Sequence, residues 1–248
     1  MRIGSRYLAT AALLSAFASS TVIAETAEEV MAIVDATFTS VEDQSYDGAV
    51  EVFRDGNRIK SFTFTAKLKG MKAKLIRFTS GDAKGMAVLT TESGTMYVYL
   101  PSYQKVRRVA SHVNNQGFMG TDISPEDVGG ATLSLDWDAV VDREDETSWY
   151  LTLKPKPSKE SAYAKMKLVV SKKYGGVSRL EGYNASGKLV KSQDRSEWKK
   201  FGPTYVPTHF IITNHLTGSK TIMTFNDCKV NQGIPSSAFT KRAIQREG

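Results

Sequence analysis

The sequence predicts a mainly β domain of the α+β class, in which a strongly curved antiparallel sheet carries one helix across its concave side. From Gly48 onward, short runs rich in Val, Ile, Phe, Tyr and Thr alternate with turn signals, a spacing typical of an antiparallel meander. Residues 25–248 suit one domain with a substantial core. The turn signals are Asp55-Gly56, Gly81-Asp82, Ser93-Gly94, Gly175-Gly176, Ser186-Gly187 and Thr217-Gly218.

Residues 1–24 have the three parts of a cleavable secretory signal peptide. Arg2 and Arg6 supply the positive start, and the apolar run that follows is too short to span a bilayer. Ala24 then ends the segment with a small residue ahead of a charged stretch. We therefore expect cleavage after Ala24 and a periplasmic product.

A helix is predicted directly after the signal peptide. Thr26 and Glu29 have the spacing of a capping box, which marks a helix N-terminus. The apolar residues that share one face of this helix are Val30, Ile33, Val34 and Phe38. This amphipathic segment is the one that we expect on the concave side of the sheet.

The strands differ in how many of their faces are apolar. Between residues 59 and 68 apolar and polar residues alternate, which predicts one wet face. Residues 95–100 and 206–212 instead carry apolar side chains on both faces, so both faces need cover. A curved sheet with a helix inside it meets these demands and leaves room for a cavity.

The charge of the chain limits its possible binding partners, and its cysteine content excludes an intramolecular disulfide. Loss of the two signal-peptide arginines lowers the formal net charge from +7 to +5. Export argues against nucleic acid, which leaves transient contact with an anionic membrane surface, or simple solubility, as the use of this charge. Cys228 is the only cysteine, so no intramolecular disulfide can form. We assign no role to its thiol.

The residues that carry catalytic chemistry do not form a recognisable motif. The histidines at 112, 209 and 215 lack the spacing of a helical zinc site, and neither a Gly-x-Ser-x-Gly elbow nor a phosphate-binding loop occurs. The acidic cluster at 142–146 is interpreted as a solvated hairpin turn. The sequence therefore predicts no metal site, no cofactor and no enzyme activity.

The segment from Met96 to Val128 joins an aromatic strand to a long apolar loop. Such loops commonly have a function. Phe118 and Met119 are expected either to face inward as part of a binding surface or to act only as core plugs. We hypothesise that ion pairs pin this loop over the sheet. The residues assigned to that role are Arg107, Arg108, Asp122, Glu126 and Asp127.

Several motifs in this segment resemble the LolA/LolB-like outer-membrane lipoprotein-sorting proteins, and within them the branch that accompanies large inner-membrane lipid exporters. Further similarity comes late in the chain, so the resemblance covers most of residues 25–248. The motifs are Tyr99-Leu100-Pro101, Lys105-Val106-Arg107-Arg108, Phe118-Met119-Gly120-Thr121-Asp122, Glu126-Asp127, Trp198, Gly202, Pro207, Asn231, Ile234-Pro235 and Phe239.

The resemblance implies an incomplete β-barrel with a helical lid, whose apolar cavity carries a lipid or the acyl chains of a lipoprotein between inner and outer membranes. It also implies an inner-membrane transporter of the RND or MMPL type as partner, and no enzyme activity. The side chains that we expect to contact the lipid are Phe62, Phe64, Met96, Tyr97, Tyr99, Phe118, Met119 and Phe210.

One departure from the family and two alternatives stay open. In the best-known carriers a basic residue followed by proline precedes the strand that matches Leu75-Ile76-Arg77-Phe78; Lys69-Gly70-Met71 stands nearby without that proline, so the residues that latch the lid cannot be assigned. A sensor domain that binds a membrane-anchored protein could use the same sheet. A small hydrolase, the weaker alternative, would need a polar cluster around His209 or His215 in the cavity.

Overall fold

The computed structural model describes residues 25–70, 72–109, 117, 120–124 and 133–246. Within them the helices are α1 (Ala27–Thr39), α2 (Leu133–Asp136) and α3 (Lys241–Arg246). The strands are β1 (Asp43–Arg54), β2 (Asn57–Lys69), β3 (Ala73–Phe78), β4 (Ala87–Thr90), β5 (Met96–Leu100), β6 (Lys105–Arg108), β7 (Trp137–Glu144), β8 (Ser148–Pro155), β9 (Lys165–Ser171), β10 (Val177–Tyr183), β11 (Leu189–Phe201), β12 (Thr204–Asn214) and β13 (Lys220–Val230).

The described strands form one curved antiparallel sheet that does not close. Its order is β6-β5-β4-β3-β2-β1-β13-β12-β11-β10-β9-β8-β7, so the edges are β6 and β7. Each of the six predicted turns connects two consecutive strands of this meander. The exception to sequential pairing is the junction of β1 with β13, where Val50 lies opposite Met223. The predicted mainly β class and incomplete barrel are confirmed.

Helix α1 begins at the predicted capping box. The Glu29 amide donates to Thr26 Oγ1 at 3.2 Å, and the Thr26 amide donates to Glu29 Oε2 at 2.7 Å. These bonds satisfy amide groups that have no partner inside the helix. Val30, Met31 and Val34 form the buried face of α1.

Two hydrophobic clusters divide the concave side of the sheet. The helix cluster contains Val30 and Val34 of α1 together with Trp149, Leu151 and Leu168 of the strands near the β7 edge. The cavity cluster lies towards the other half of the sheet, and its members include Tyr46, Val50, Phe62, Phe64, Phe78 and Val88. The helix therefore fills one half of the concave side, while the other half is lined by aromatic side chains.

A third cluster, the outer cluster, covers the convex side of β3 to β5. Leu75, Leu89 and Tyr99 pack there with Ile234 and Phe239 from the C-terminal segment. Since Met96 and Val98 of the same strand β5 pack in the cavity cluster, the prediction that both faces of this strand need cover is confirmed.

For residues 206–212 the same expectation is met only in part. Val206, Phe210 and Ile212 are buried, but Ile211 on the opposite face is only half-buried, and its cross-strand neighbour on β11 is Asp194. In β2, by contrast, Phe62, Phe64 and Ala66 are buried as the alternation predicted.

Among the described residues, no helix is both long enough and apolar enough to cross a membrane.

Candidate functional site

A cavity of about 220 Å³ lies between helix α1 and the concave face of the sheet. Val34, Thr37 and Phe38 of α1 form its roof. The apolar wall combines aliphatic side chains with aromatic and methionine side chains, among them Phe62, Phe64, Met96, Phe210, Met223 and Phe225. An apolar cavity of about 150 Å³ is already large enough to stay dry and bind benzene. This cavity can therefore take apolar groups of at least that size.

Close packing of strands β1, β2 and β13 shapes the floor. Phe225 stacks on Tyr46 at 4.6 Å between ring centroids and contacts Phe210 at 4.9 Å. The Phe64 ring lies over Gly48, where a Cβ atom would be 2.3 Å from its Cζ and 2.8 Å from the Thr224 carbonyl oxygen. Glycine at this position therefore lets the phenylalanine ring lie flat against the strand instead of projecting into the cavity.

Hydrogen bonds hold α1 over the cavity at both ends. At the N-terminal end, Trp149 Nε1 donates to Glu25 Oε2 at 3.1 Å. Towards the C-terminal end, Thr204 Oγ1 donates to the Thr37 carbonyl at 3.0 Å, and Ser134 donates to the Asp35 carboxylate. Burial raises the pKa of Asp35, while the bond from Ser134 opposes that rise. These contacts are candidates for the latch that the sequence could not assign.

Two cationic side chains also line the cavity, and sequence reasoning missed both. Lys74 on β3 is 8% exposed, and Arg195 on β11 is half-buried. Burial, followed by the positive charge of Arg195, lowers the pKa of Lys74 to about 8. The sequence did hold a signal for Lys74, because Ile76 and Phe78 at the following alternate positions of β3 face the cavity.

Half of the predicted lipid-contacting residues line the cavity: Phe62, Phe64, Met96 and Phe210. Tyr97 and Tyr99 do not, since they alternate with Met96 on β5 and pack in the outer cluster. The Lys241 ammonium lies 5.2 Å from the Tyr97 ring centroid on that side. Phe118 and Met119 lie outside the described residues.

The described part of the predicted loop crosses the sheet at β13. Thr121 and Ile123 line the cavity, and Asp122 between them is buried. The Asp122 carboxylate accepts hydrogen bonds from Thr221 Oγ1 at 2.9 Å and from Ser219 Oγ at 2.5 Å. The Asp122 amide in turn donates to Thr221 Oγ1 at 2.9 Å.

These partners differ from the arginines expected for Asp122. Arg107 and Arg108 are exposed on the edge strand β6, whereas Ser219 and Thr221 belong to the turn before β13 and to β13 itself. Sequence proximity favoured the arginines, but the pairing of β1 with β13 in the middle of the sheet brings the hydroxyl groups to the loop. Glu126 and Asp127, the other predicted partners, lie outside the described residues.

Neither described histidine lines the cavity. His209 Nδ1 lies 3.3 Å from Ser196 Oγ, and His215 Nε2 lies 2.9 Å from Ser192 Oγ. The polar cluster around one of them that a hydrolase would need in the cavity is not present in the described part of the chain. Across the same residues, no three side chains of His, Cys, Asp or Glu converge as metal ligands.

The acidic cluster forms the predicted hairpin turn between β7 and β8. The Asp145 carboxylate accepts from the Thr147 amide and hydroxyl and from the Tyr150 hydroxyl, and these bonds lower the pKa of Asp145 to about 2. Its role is therefore structural. Cys228 is also buried, and burial raises the pKa of its thiol to about 11.

The fold and the cavity define a class of open antiparallel sheets with a helix over an apolar cavity. A family model described as that of an uncharacterized protein matches residues 70–246. The chain belongs to this family. No curated protein matches the chain.

Three solved structures are similar over nearly their whole length. A DUF1329 family protein from Desulfovibrio piger is 22% identical, with a TM-score of 0.81 over 88% of this chain and 96% of that one. A Vibrio parahaemolyticus domain named for outer membrane lipoprotein sorting is 20% identical, with a TM-score of 0.77 over 89% and 97%. A LolA superfamily protein from Nitrosomonas europaea is 19% identical, with a TM-score of 0.72 over 88% and 99%. At these identities the similarity shows the fold.

Proposed function

We propose that this protein is a periplasmic carrier that binds a lipid, or the acyl chains of a lipoprotein, in the cavity under α1. The observation that carries the proposal is the cavity itself: about 220 Å³ with walls of aromatic, methionine and aliphatic side chains, roofed by a helix. The names of the similar Vibrio and Nitrosomonas proteins, which refer to lipoprotein sorting and to LolA, support the same function.

The energetics of such a carrier are favourable without any chemical step. Each methylene group kept out of water is worth about 0.8 kcal/mol, so a chain moves from bilayer to cavity with little net change if the cavity offers similar contacts. Met96 and Met223 are unbranched and adapt to a flexible chain. Phe62, Phe64 and Phe210 supply the larger apolar surfaces, and Phe118 and Met119 of the loop would add to them.

The route is part of the proposal. The signal peptide over residues 1–24 would deliver the protein to the periplasm, and cleavage after Ala24 would leave α1 free to act as the lid. An inner-membrane transporter of the RND or MMPL type would supply the cargo, and the outer membrane would receive it.

Purification of the mature protein from the periplasm, followed by solvent extraction and mass spectrometry of bound lipids, tests the proposal. We expect about one lipid or acylated species per chain. Met223→Trp fills the cavity and should reduce this occupancy at least several-fold. Ile222→Trp is the matched control, because Ile222 lies next to Met223 on the opposite face of β13.

Empty wild-type protein that also takes up no lipid from vesicles would contradict the carrier. Capture of a membrane-anchored protein by that empty protein would favour the sensor alternative instead. Equal occupancy in Met223→Trp and Ile222→Trp would place any bound lipid outside the cavity.

A further inference from the structure

Lys74 and Arg195 reach the cavity from separate parts of the sheet. Their strands, β3 and β11, are separated by β2, β1, β13 and β12 in the sheet order. Curvature brings the two side chains to the same cavity, near enough for the charge of Arg195 to act on Lys74. Two positive charges repel each other in a low-dielectric site, so placing Lys74 and Arg195 at the same cavity costs free energy.

Neighbouring groups hold Arg195 in the cavity wall. Its Nε donates to Gln193 Oε1 at 2.8 Å, and its guanidinium carbon lies 5.7 Å from the Phe210 ring centroid. Gln193 and Phe210 also line the cavity. The guanidinium is therefore oriented by an amide and an aromatic face, both of which a bound molecule would also contact.

A buried hydroxyl accompanies Lys74. Thr90 on β4 lies directly opposite Lys74 in the strand register, and Met96 is its partner on β5, so Thr90 belongs to the cavity face. It is 7% exposed, and in the part of the chain that the structure describes its Oγ1 has no hydrogen-bond partner. Buried hydroxyl groups without a partner are rare in folded proteins.

A cavity built only for hydrocarbon does not need these groups. Apolar side chains of similar volume would bind an acyl chain as well and would avoid the desolvation of an ammonium group. Two cationic donors in the wall of one apolar cavity instead match a ligand with an acyl chain and an anionic oxygen head.

We propose that the cargo is an anionic amphiphile, whose carboxylate or phosphate oxygen atoms bind between Lys74 and Arg195 while its acyl chain contacts Phe62, Phe64 and Phe225. This inference rests on the proposed carrier function and specifies its substrate class. A free fatty acid and an acidic phospholipid share this chemistry, and the experiment separates them.

The test compares ligands that differ only in the head group. Delipidated mature protein is titrated with oleic acid and oleyl alcohol, and with dioleoylphosphatidic acid and dioleoylglycerol. Tryptophan fluorescence reports binding, since Trp198 lines the cavity. A charge-assisted pair favours the acid by roughly tenfold or more. Preference for oleic acid alone assigns a fatty acid, preference for phosphatidic acid alone assigns a phospholipid, and both preferences support the shared head-group site.

Substitutions at Lys74 and Arg195 test whether these two residues cause the preference for the anionic ligand. The double variant Lys74→Met with Arg195→Met should bind acid and neutral ligand equally, whereas Lys199→Met, which removes an exposed charge on β11, should keep the wild-type ratio. If the double variant does not fold, the single variants Lys74→Gln and Arg195→Gln should each lower the ratio several-fold. Retention of the full ratio in folded variants would overturn the assignment to Lys74 and Arg195.

The outcomes separate this inference from the proposed function. Wild-type protein that binds oleic acid and oleyl alcohol equally, and likewise the two dioleoyl lipids, is a carrier without an anion site and overturns the inference alone. Wild-type protein that binds none of the four ligands overturns the carrier function, and the inference with it.

Discussion

Lys74 is a cation on a buried strand position with Ile76 and Phe78 on the same face of β3. Its environment opposes the charged form in two ways, first by removing water and then by the nearby charge of Arg195, and the pKa falls to about 8. In the unfolded chain the same ammonium keeps its proton up to about pH 10.5. This difference makes the stability of the empty protein depend on pH.

Below pH 8 both states carry the proton, so the folded protein bears the full penalty of the buried charge. Between about pH 8 and 10.5 the unfolded state holds a proton that the folded state has lost, so stability rises with pH. The variant Lys74→Met has no ammonium group at this position, so its stability lacks this pH dependence. We expect the stability of delipidated wild type relative to Lys74→Met to increase by about 2 kcal/mol from pH 7 to pH 10. Urea unfolding at both values checks this; a constant difference would contradict it.

Asp122 attaches the described loop segment to β13 and to the turn before it. Its carboxylate is buried and accepts from Ser219 and Thr221, so removal would leave two hydroxyl groups without that acceptor. We expect Asp122→Ala to lower the free energy of unfolding by about 2 kcal/mol and to expose residues 120–124 to protease. Arg108→Ala should change neither property. If Arg108→Ala loosened the loop as much as Asp122→Ala, the original arginine hypothesis would be preferred.

The pairing of β1 with β2 shapes the floor of the cavity. Gly48 and Phe64 face each other across the pair, and the ring occupies the space that a side chain at 48 would need. The Thr224 carbonyl of β13 closes the same space from the other side. Because a shift of the Thr224 backbone would disrupt the sheet, the Phe64 ring must move to make room for any larger residue at position 48.

Gly48→Ala should therefore push Phe64 into the cavity. We expect a loss of about 1 to 3 kcal/mol in stability from overpacking, together with weaker lipid uptake. Gly56→Asn is the matched control, because nothing lies within 4 Å of that position in the β1–β2 turn and asparagine tolerates its positive φ. Urea unfolding and vesicle-uptake assays on both variants check this; unchanged uptake by Gly48→Ala would show that the Phe64 ring does not limit the cavity.

Local signals in the sequence predicted the elements well. The capping box of Thr26 and Glu29 begins α1, and the alternation around Phe62 and Phe64 gives the correct inward face of β2. Both signals depend on residues within a few positions of one another. Local signals also predicted four residues of the cavity wall, because large apolar side chains on inward faces line it: Phe62, Phe64, Met96 and Phe210.

Features that depend on distant pairing could not be predicted in the same way. The contact of Asp122 with Thr221 and the convergence of Lys74 with Arg195 both require the junction of β1 with β13, for which the chain carries no turn signal. Tyr97 was assigned to the cavity because sequence alone does not fix which face of an aromatic strand is inner. One register position decides that face.

The whole molecule combines a filled half and a hollow half under one helix. The helix cluster anchors the first half of α1 against the strands near the β7 edge, and the end of the helix, at Thr37 and Phe38, roofs the cavity. The meander leaves β6 and β7 as edges, so the sheet can curve around a ligand without closing on it. A roof attached through a few hydrogen bonds above an apolar wall is consistent with reversible uptake.

Site-specific photo-cross-linking in cells tests most directly whether this cavity holds the cargo. A photoreactive amino acid replaces Met96, which faces the cavity, or Tyr97, its neighbour on the opposite face of β5. Mass spectrometry of the irradiated protein should find a lipid adduct at position 96 and none at 97. Adducts at neither position, or equal adducts at both, would contradict binding of the cargo in this cavity.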